Sequence, residues 1–236
     1  MHYISAVYAR FVLRGLTTRG IDSACLFSHT SLNRERLETE SDISVEEFVT
    51  FLENARAESG DEKLGLMIGA QSTVVVLGPM GVATAPSVRT GLQFLEKFSR
   101  LHATYVKIEL TSTLSGMSVV FRFLESLGVV ERFHAEASVM LVQNYVETLT
   151  GRPLLGAQYH LGFPKPSYAD DYQSALHGPV SFDAQRTTVE LPADCLDERT
   201  PYYNEETWRQ MQLQLSRRLK FIGHNNKKTY TEDITA

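Results

Sequence analysis

Residues 106–123 read VKIELTSTLSGMSVVFRF, and this stretch predicts the centre of the fold. Apolar residues alternate with other residues on both sides of a turn at 112–116: Val106, Ile108 and Leu110 before it, and Val119, Phe121 and Phe123 after it. A period of two is typical of half-buried strands, and a short turn between two such strands makes a hairpin. We therefore expect an antiparallel β-hairpin here.

Two serines upstream of the hairpin predict helix starts. Ser44 and Glu47 have the spacing of a capping box, in which each side chain bonds the backbone N–H of the other residue. Gly60 is placed to end that helix. Ser87 precedes a second helix, whose apolar residues recur at core spacing: Leu92, Leu95, Phe98 and Leu101.

The segments around the hairpin complete an α+β pattern. Residues 130–150 predict a long helix, with one buried side: Phe133, Ala137, Met140, Leu141 and Tyr145. A strand at 159–163 and a last hairpin of 180–182 with 187–191 follow. The expected fold is an N-terminal helical subdomain, then a mostly antiparallel sheet with packed helices, and a long final helix.

The chain divides into four expected parts. Residues 1–70 form the helical subdomain and residues 71–200 the α+β subdomain, although the valine run at 74–76 leaves strand and buried helix both open. Residues 201–223 form a terminal helix. Residues 224–236 are polar and have the composition of a linker.

The terminal helix carries an apolar seam with near-heptad spacing: Trp208, Met211, Leu215 and Leu219. Two interpretations stay open for it. The seam docks on the chain's own domain, or it meets a second copy in a two-fold dimer contact. Fewer than three heptads are present, so the spacing does not decide between them.

Composition narrows the class of protein. Of 236 residues, 43% are hydrophobic, while 23 basic against 28 acidic residues give a net charge of −5. Direct nucleic-acid binding normally needs a basic face, so it is not expected as the main role of these residues. Cys25 and Cys195 have no metal or redox spacing and are expected to be free thiols. The sequence has no apolar run of membrane-spanning length, and a cytoplasmic protein is expected.

Catalytic and metal-binding motifs are absent from the sequence. It contains no phosphate-binding loop, no helical His-x-x-x-His pair and no Gly-x-Ser-x-Gly elbow. We expect no enzyme activity, cofactor or metal. Two alternatives are kept: a haem or gas sensor that uses His134, and a small enzyme with a dispersed site such as Tyr145, His160 and Asp170.

Several short motifs carry a resemblance to a known family. They read LGLMIG at 64–69, GPMG at 78–81 followed by SVRTGL at 87–92, FPKP at 163–166, and GPVSFDA at 178–184 followed by VELP at 189–192. In their order and spacing they resemble the N-terminal effector-binding domain of one branch of AraC-type transcription regulators. That branch is often labelled arabinose-binding.

The resemblance implies a ligand sensor that acts through a separate helix-turn-helix domain. Contact with DNA is then expected only through that domain, beyond Ala236, and the sensor half is expected to form a homodimer. An unknown small molecule would be the effector. We expect its pocket between the helix after Ser87 and the sheet, with four candidate ligand contacts: Arg89, Tyr105, Phe121 and Tyr145.

Overall fold

A computed structural model describes residues 2–71, 82–124, 127–128 and 130–232, with the backbone alone for 71, 82 and 220–232. The valine run at 74–76 and the GPMG motif at 78–81 lie outside the described residues. No helix in the described ranges is long and apolar enough to span a bilayer.

A layer of helices forms the N-terminal part, as predicted. It consists of α1 (Ala6–Thr17), α2 (Ser23–Leu26), α3 (Arg34–Thr39), α4 (Val45–Ser59) and α5 (Leu64–Gln71). Two short antiparallel strands accompany these helices, β1 (Tyr3–Ser5) and β2 (Asp42–Ser44). The predicted helical subdomain therefore begins with a short strand, and its first helix starts at Ala6.

The predicted ends of α4 are confirmed. The Ser44 side chain accepts a hydrogen bond from the Glu47 N–H, and the Glu47 carboxylate accepts one from the Ser44 N–H. Gly60 closes the helix with a φ of +60°, a left-handed conformation that glycine adopts without a steric penalty.

The main sheet has five strands in the order β3-β4-β7-β5-β6. These are β3 (Val106–Ser112), β4 (Gly116–Phe123), β5 (Gln158–His160), β6 (Val180–Ser181) and β7 (Thr187–Pro192). The hairpin of β3 and β4 is confirmed, with Ile108 opposite Phe121. β7 pairs antiparallel with both β4 and β5, so the sheet is mostly antiparallel, as expected.

The predicted last hairpin is wrong. β6 pairs with β5 in parallel, Tyr159 opposite Val180, and does not pair with β7. Both edges of β7 are already occupied, by β4 and β5, so β6 is left at the rim of the sheet. β5 is also shorter than predicted, since it ends at His160.

Three further helices pack around the sheet: α6 (Val88–Phe98), α7 (Val130–Thr150) and the short α8 (Asp171–Ala175). Ser87 caps α6 by accepting from the Thr90 N–H, as predicted. Hydrophobic residues form two clusters, one under the sheet and one in the helical layer. α7 contributes to both, since Val130 belongs to the helical layer and Val139 to the core of the sheet.

The last helix, α9 (Glu205–Glu232), is longer than predicted and continues through Gly223. Its predicted seam packs on the chain's own core. Trp208 and Leu215 are each 7% exposed, and the Trp208 ring lies 4.8 Å from that of Phe94. Met211 and Leu219 are partly buried against the same cluster. These four side chains therefore dock α9 on the chain's own domain, which is the first of the two interpretations.

Candidate ligand-binding site

An apolar cavity of about 140 Å³ lies between the helical layer, the sheet and α7. Its apolar walls come from all three: Ile4, Tyr8, Phe11, Val12, Phe48, Ile68, Leu95, Ala103, Val106, Ile108, Phe121, Phe133, Ala137, Leu141 and Val142. No Asp, Glu, Lys or Arg occurs among the described lining residues. Such a space favours a small and largely apolar molecule.

The cavity explains a departure from the predicted packing of α7. Phe133, Ala137 and Leu141 were predicted on the buried side of this helix, but each is only half-buried. All three line the cavity, so their side chains face empty space where filled core was expected. Met140 and Tyr145, from the same predicted face, are buried.

Two of the four predicted ligand contacts lie at the cavity. Tyr105 and Phe121 line it together with Leu95 of α6 and Val106 and Ile108 of β3. Arg89 instead pairs with Asp197 through two contacts of 2.6 and 2.8 Å. Tyr145 is fully buried, and its hydroxyl faces Gly91, where a Cβ atom would lie only 1.6 Å away. Neither Arg89 nor Tyr145 is among the described lining residues.

A hydrogen-bonded pair forms part of the cavity wall. The Tyr105 hydroxyl lies 2.5 Å from His134 Nε2, and His134 Nδ1 lies 3.0 Å from the Val130 carbonyl oxygen. Four aromatic rings surround the imidazole, including those of Phe48 and Phe133. Burial lowers the pKa of His134 to about 4, so the ring is neutral at pH 7.

His102 brings a second imidazole to the cavity, and sequence reasoning missed it. Its Nε2 atom is buried and has no hydrogen-bonding partner among the described residues. Burial lowers the pKa of His102, and the Arg218 charge lowers it further, while Asp42 opposes them. The only sequence signal was a histidine between Leu101 and Ala103, just before a predicted strand.

A second, open groove of about 640 Å³ borders the outer side of Phe121. Five cationic side chains line it: Arg56, Arg122, Arg132, Lys165 and Arg186. Glu109 lies within 4.0 Å of both Arg122 and Arg186, so part of this charge is compensated. Phe121 borders both spaces and separates the apolar cavity from the charged groove.

A buried carboxyl group fixes the position of α7 beside the cavity. Glu136 accepts hydrogen bonds from the Leu66 N–H at 3.1 Å, from the Tyr168 hydroxyl at 2.7 Å and from the Tyr172 hydroxyl. Burial raises its pKa despite these donors. The group ties α5 and the α8 region to α7, which is a structural role.

Cys25 and Cys195 form no disulfide, and the described residues contain no metal site. Cys25 is a half-buried and Cys195 a buried free thiol, as predicted. No cluster of three or more potential metal ligands occurs in the described ranges.

The fold is an α+β domain with an apolar cavity between its layers, and comparison with known proteins names its family. Residues 20–200 match the arabinose-binding domain of AraC transcription regulators, at their N-terminus. This chain belongs to that family.

Two relatives come from Pseudomonas aeruginosa. An ornithine utilization regulator is 24% identical over 209 residues, which cover 86% of this chain and 61% of the relative. The crystal structure of the transcriptional regulator CdpR superposes with a TM-score of 0.62 at 16% identity, covering 86% of this chain and 60% of that one. The second likeness concerns the fold alone. This chain spans about three fifths of the length of each relative.

Proposed function

We propose that this chain is the effector-sensing domain of an AraC-type regulator and that the cavity of about 140 Å³ is its effector site. The observation that carries the proposal is the apolar cavity itself, walled by the helical layer, the sheet and α7 together. A molecule bound there contacts all three layers. It therefore favours whichever arrangement of the layers fits it best.

The size and lining of the cavity limit the effector. An apolar cavity of about 150 Å³ is known to hold benzene or xenon, whereas typical ligand pockets measure roughly 300–1,000 Å³. A sugar would bury several hydroxyl groups against few polar partners, which is costly. Ornithine carries two ammonium groups, and the described lining offers no carboxylate to pair with them. We therefore propose a small, mostly apolar effector, neither a sugar nor a cationic amino acid.

The output is proposed to pass through α9, which runs on from the sensor toward a DNA-binding domain. The Ser5 N–H donates to the His102 carbonyl oxygen at 2.7 Å, and Ser5 pairs with Asp42 across β1 and β2. Asp42 in turn lies 3.8 Å from Arg218 of α9. This chain of contacts connects the cavity wall to the last helix. A displacement of His102 would therefore be transmitted to α9.

DNA contact, a homodimer and a cytoplasmic location belong to the same proposal. DNA would be contacted only through the helix-turn-helix domain. Because Trp208 and Leu215 are buried on their own domain, a dimer contact through α9 would use its outer side, where Leu213 is 44% exposed. Half-site spacing on DNA would make the geometry of such a dimer consequential.

The two alternative functions find little support in the geometry. Both ring nitrogens of His134 already have partners, so neither is free for haem. The dispersed candidates for catalysis lie in different surroundings: Tyr145 is fully buried, Asp170 is exposed, and His160 lies 2.7 Å from the Ser181 hydroxyl. We therefore infer a sensor without catalytic activity.

A thermal-shift screen tests the proposal. The purified chain would be heated with benzene-sized aromatic compounds, with arabinose and with ornithine. We expect a saturable rise in Tm of several degrees with the aromatic compounds and none with the other two, because a ligand that binds only the folded state stabilises it by mass action. A rise with arabinose or ornithine alone would contradict the proposed site.

A further inference from the structure

Positive charge from separate parts of the fold is gathered in the open groove of about 640 Å³. Its five cationic side chains come from α4, β4, α7, the loop after β5 and the turn before β7: Arg56, Arg122, Arg132, Lys165 and Arg186. Glu131 is the only acidic side chain among the described lining residues. The groove is therefore strongly positive, although the whole chain has a net charge of −5.

Two of these cations have no acidic partner. Arg56 and Lys165 are both exposed, and neither forms an ion pair with a carboxylate of the described residues. Like charges that are brought into one groove repel one another, whereas an anion bound between them attracts them all. The two side chains are therefore available to an anion from outside the chain.

Glu109 shows that the neighbouring cations accept a carboxylate. Its Oε2 atom lies 3.5 Å from the Arg122 guanidinium and 4.0 Å from that of Arg186, and its Oε1 atom lies 2.8 Å from the Lys107 ammonium. Three cations thus contact one carboxylate. Glu109 therefore compensates only part of the positive charge on this side of the groove.

Contacts within the fold limit the movement of two of the cations. The Gly162 N–H donates to the Thr187 hydroxyl at 3.2 Å, which ties the loop that carries Lys165 to the start of β7. The Arg132 guanidinium lies 5.3 Å from the centre of the Tyr168 ring, in a cation–π contact. Because these cations are partly preorganised, a bound anion orders them at a smaller entropic cost.

The shape and lining of the groove favour a small organic anion over a nucleic acid. Its volume lies within the range of roughly 300–1,000 Å³ that is typical of ligand pockets. Phe121, Phe123 and Phe163 line it beside the cations and offer apolar surface to a carbon framework. A DNA duplex would instead be repelled by a chain whose net charge is −5.

We propose that the groove binds a small organic polyanion, with two or more carboxylate groups on an apolar framework. Arginine suits such a ligand, because its planar guanidinium can donate two parallel hydrogen bonds to one carboxylate. The site is distinct from the proposed effector cavity, since Phe121 separates the two spaces. It goes beyond the proposed function by giving the chain a second ligand, and it does not depend on what the cavity binds.

A charged and a neutral probe with the same ring test the proposal. Trimesate, a benzene ring with three carboxylate groups, would be titrated by calorimetry into the wild-type chain at pH 7 and low ionic strength. The neutral probe is the triol in which a hydroxymethyl group replaces each carboxylate. We expect trimesate to bind at least about tenfold more tightly, because it forms charge-assisted hydrogen bonds. Added salt should weaken its binding, because salt screens exposed charges.

Two variants place the binding in the groove. Arg56→Gln and Lys165→Gln each remove one exposed cation that has no acidic partner, so both should fold and should bind trimesate about fivefold more weakly. The matched control is Arg217→Gln, at an exposed arginine of α9 that is not among the described lining residues, and it should bind like the wild type. Equal weakening in the control would mean that trimesate responds to overall charge, which would overturn the site.

Amide chemical shifts of the wild type give a readout that needs no variant. Trimesate should shift the amides within 162–165 and 185–187, whereas phenol, a benzene-sized probe for the cavity, should shift those of the cavity walls. Absence of trimesate binding, or shifts confined to other regions, would contradict the proposal. Short duplex DNA that binds more tightly than trimesate, and that Arg56→Gln and Lys165→Gln release, would assign the groove to nucleic acid and overturn it as well.

Discussion

The Tyr105 hydroxyl and His134 Nε2 lie 2.5 Å apart, and this contact joins the start of the central hairpin to the long helix α7. Both residues line the cavity and both are buried. The pair therefore serves as a structural tie in the wall of the proposed effector site.

Removal of the Tyr105 hydroxyl tests this tie. Tyr105→Phe leaves His134 Nε2 buried without a partner, so we expect a loss of about 1–3 kcal/mol in the free energy of unfolding. Urea denaturation measures it. The matched control is Tyr202→Phe, at an exposed tyrosine, which should change stability by less than about 0.5 kcal/mol. Equal effects of the two substitutions would mean that the Tyr105 contact contributes nothing.

His134 should make stability depend on pH. Its pKa is about 4 in the folded chain against an ordinary value of 6.5, so its neutral form favours folding. That contribution is complete above pH 6.5 and is lost as the pH falls toward 4, by about 2 kcal/mol between pH 7 and pH 5.

A double variant separates the pH dependence that His134 causes from that of Glu136. The raised pKa of Glu136 makes its contribution to stability increase as the pH falls, which is opposite to that of His134. Tyr105→Phe with His134→Phe replaces the pair by apolar rings. The free energy of unfolding, measured by urea denaturation, should decrease more between pH 7 and pH 5 in the wild type than in the double variant. The same fall in both proteins would show that His134 does not titrate as described.

Gly91 allows α6 to approach Tyr145. A Cβ atom at Gly91 would lie 1.6 Å from the Tyr145 hydroxyl, so Gly91→Ala should destabilise the chain by about 1–3 kcal/mol through overpacking. Combining it with Tyr145→Phe removes the clashing oxygen and should recover part of that loss. A double-mutant cycle on unfolding free energies measures the coupling, and strictly additive effects would contradict it.

A substitution of Asp42 tests the chain of contacts that connects the cavity wall to α9. The Asp42–Arg218 pair is partly exposed, so Asp42→Asn should change overall stability little. Hydrogen exchange of the α9 amides should respond to bound phenol in the wild type, and this response should be lost in Asp42→Asn. Glu206→Gln removes an ion pair within α9 and is the control, expected to keep the response. A response that is retained in Asp42→Asn would exclude this path.

The sequence predicts those parts of the fold that depend on local pattern. The Ser44 capping box, the hairpin at 106–123 and α7 follow from spacing alone and are confirmed. The position of β6 is not local, because it depends on which strand edge is still free in the assembled sheet. Likewise, the same helical periodicity describes a face that packs on core and a face that lines a cavity, as with Ala137.

The predicted ligand contacts remain a prediction, but the structure shows where each of them lies. Tyr105, just before β3, and Phe121, within β4, line the candidate cavity because the hairpin forms part of its wall. Arg89 instead pairs with Asp197, and a partner 108 residues further along the chain cannot be assigned from local sequence pattern. His102 was missed because a missing partner becomes visible only once the surrounding side chains are placed.

The cavity between the helical layer and the sheet is the proposed effector site, and a substitution that fills it tests whether the effector binds there. Ala137→Leu adds side-chain volume at the cavity wall, and Thr148→Leu places the same side chain elsewhere on α7, at a residue that is not among the described lining residues. Phenol binding would be measured by calorimetry for both variants. We expect Ala137→Leu to fold and to bind phenol no longer, while Thr148→Leu binds it like the wild type; wild-type binding by a folded Ala137→Leu would exclude the cavity as the binding site.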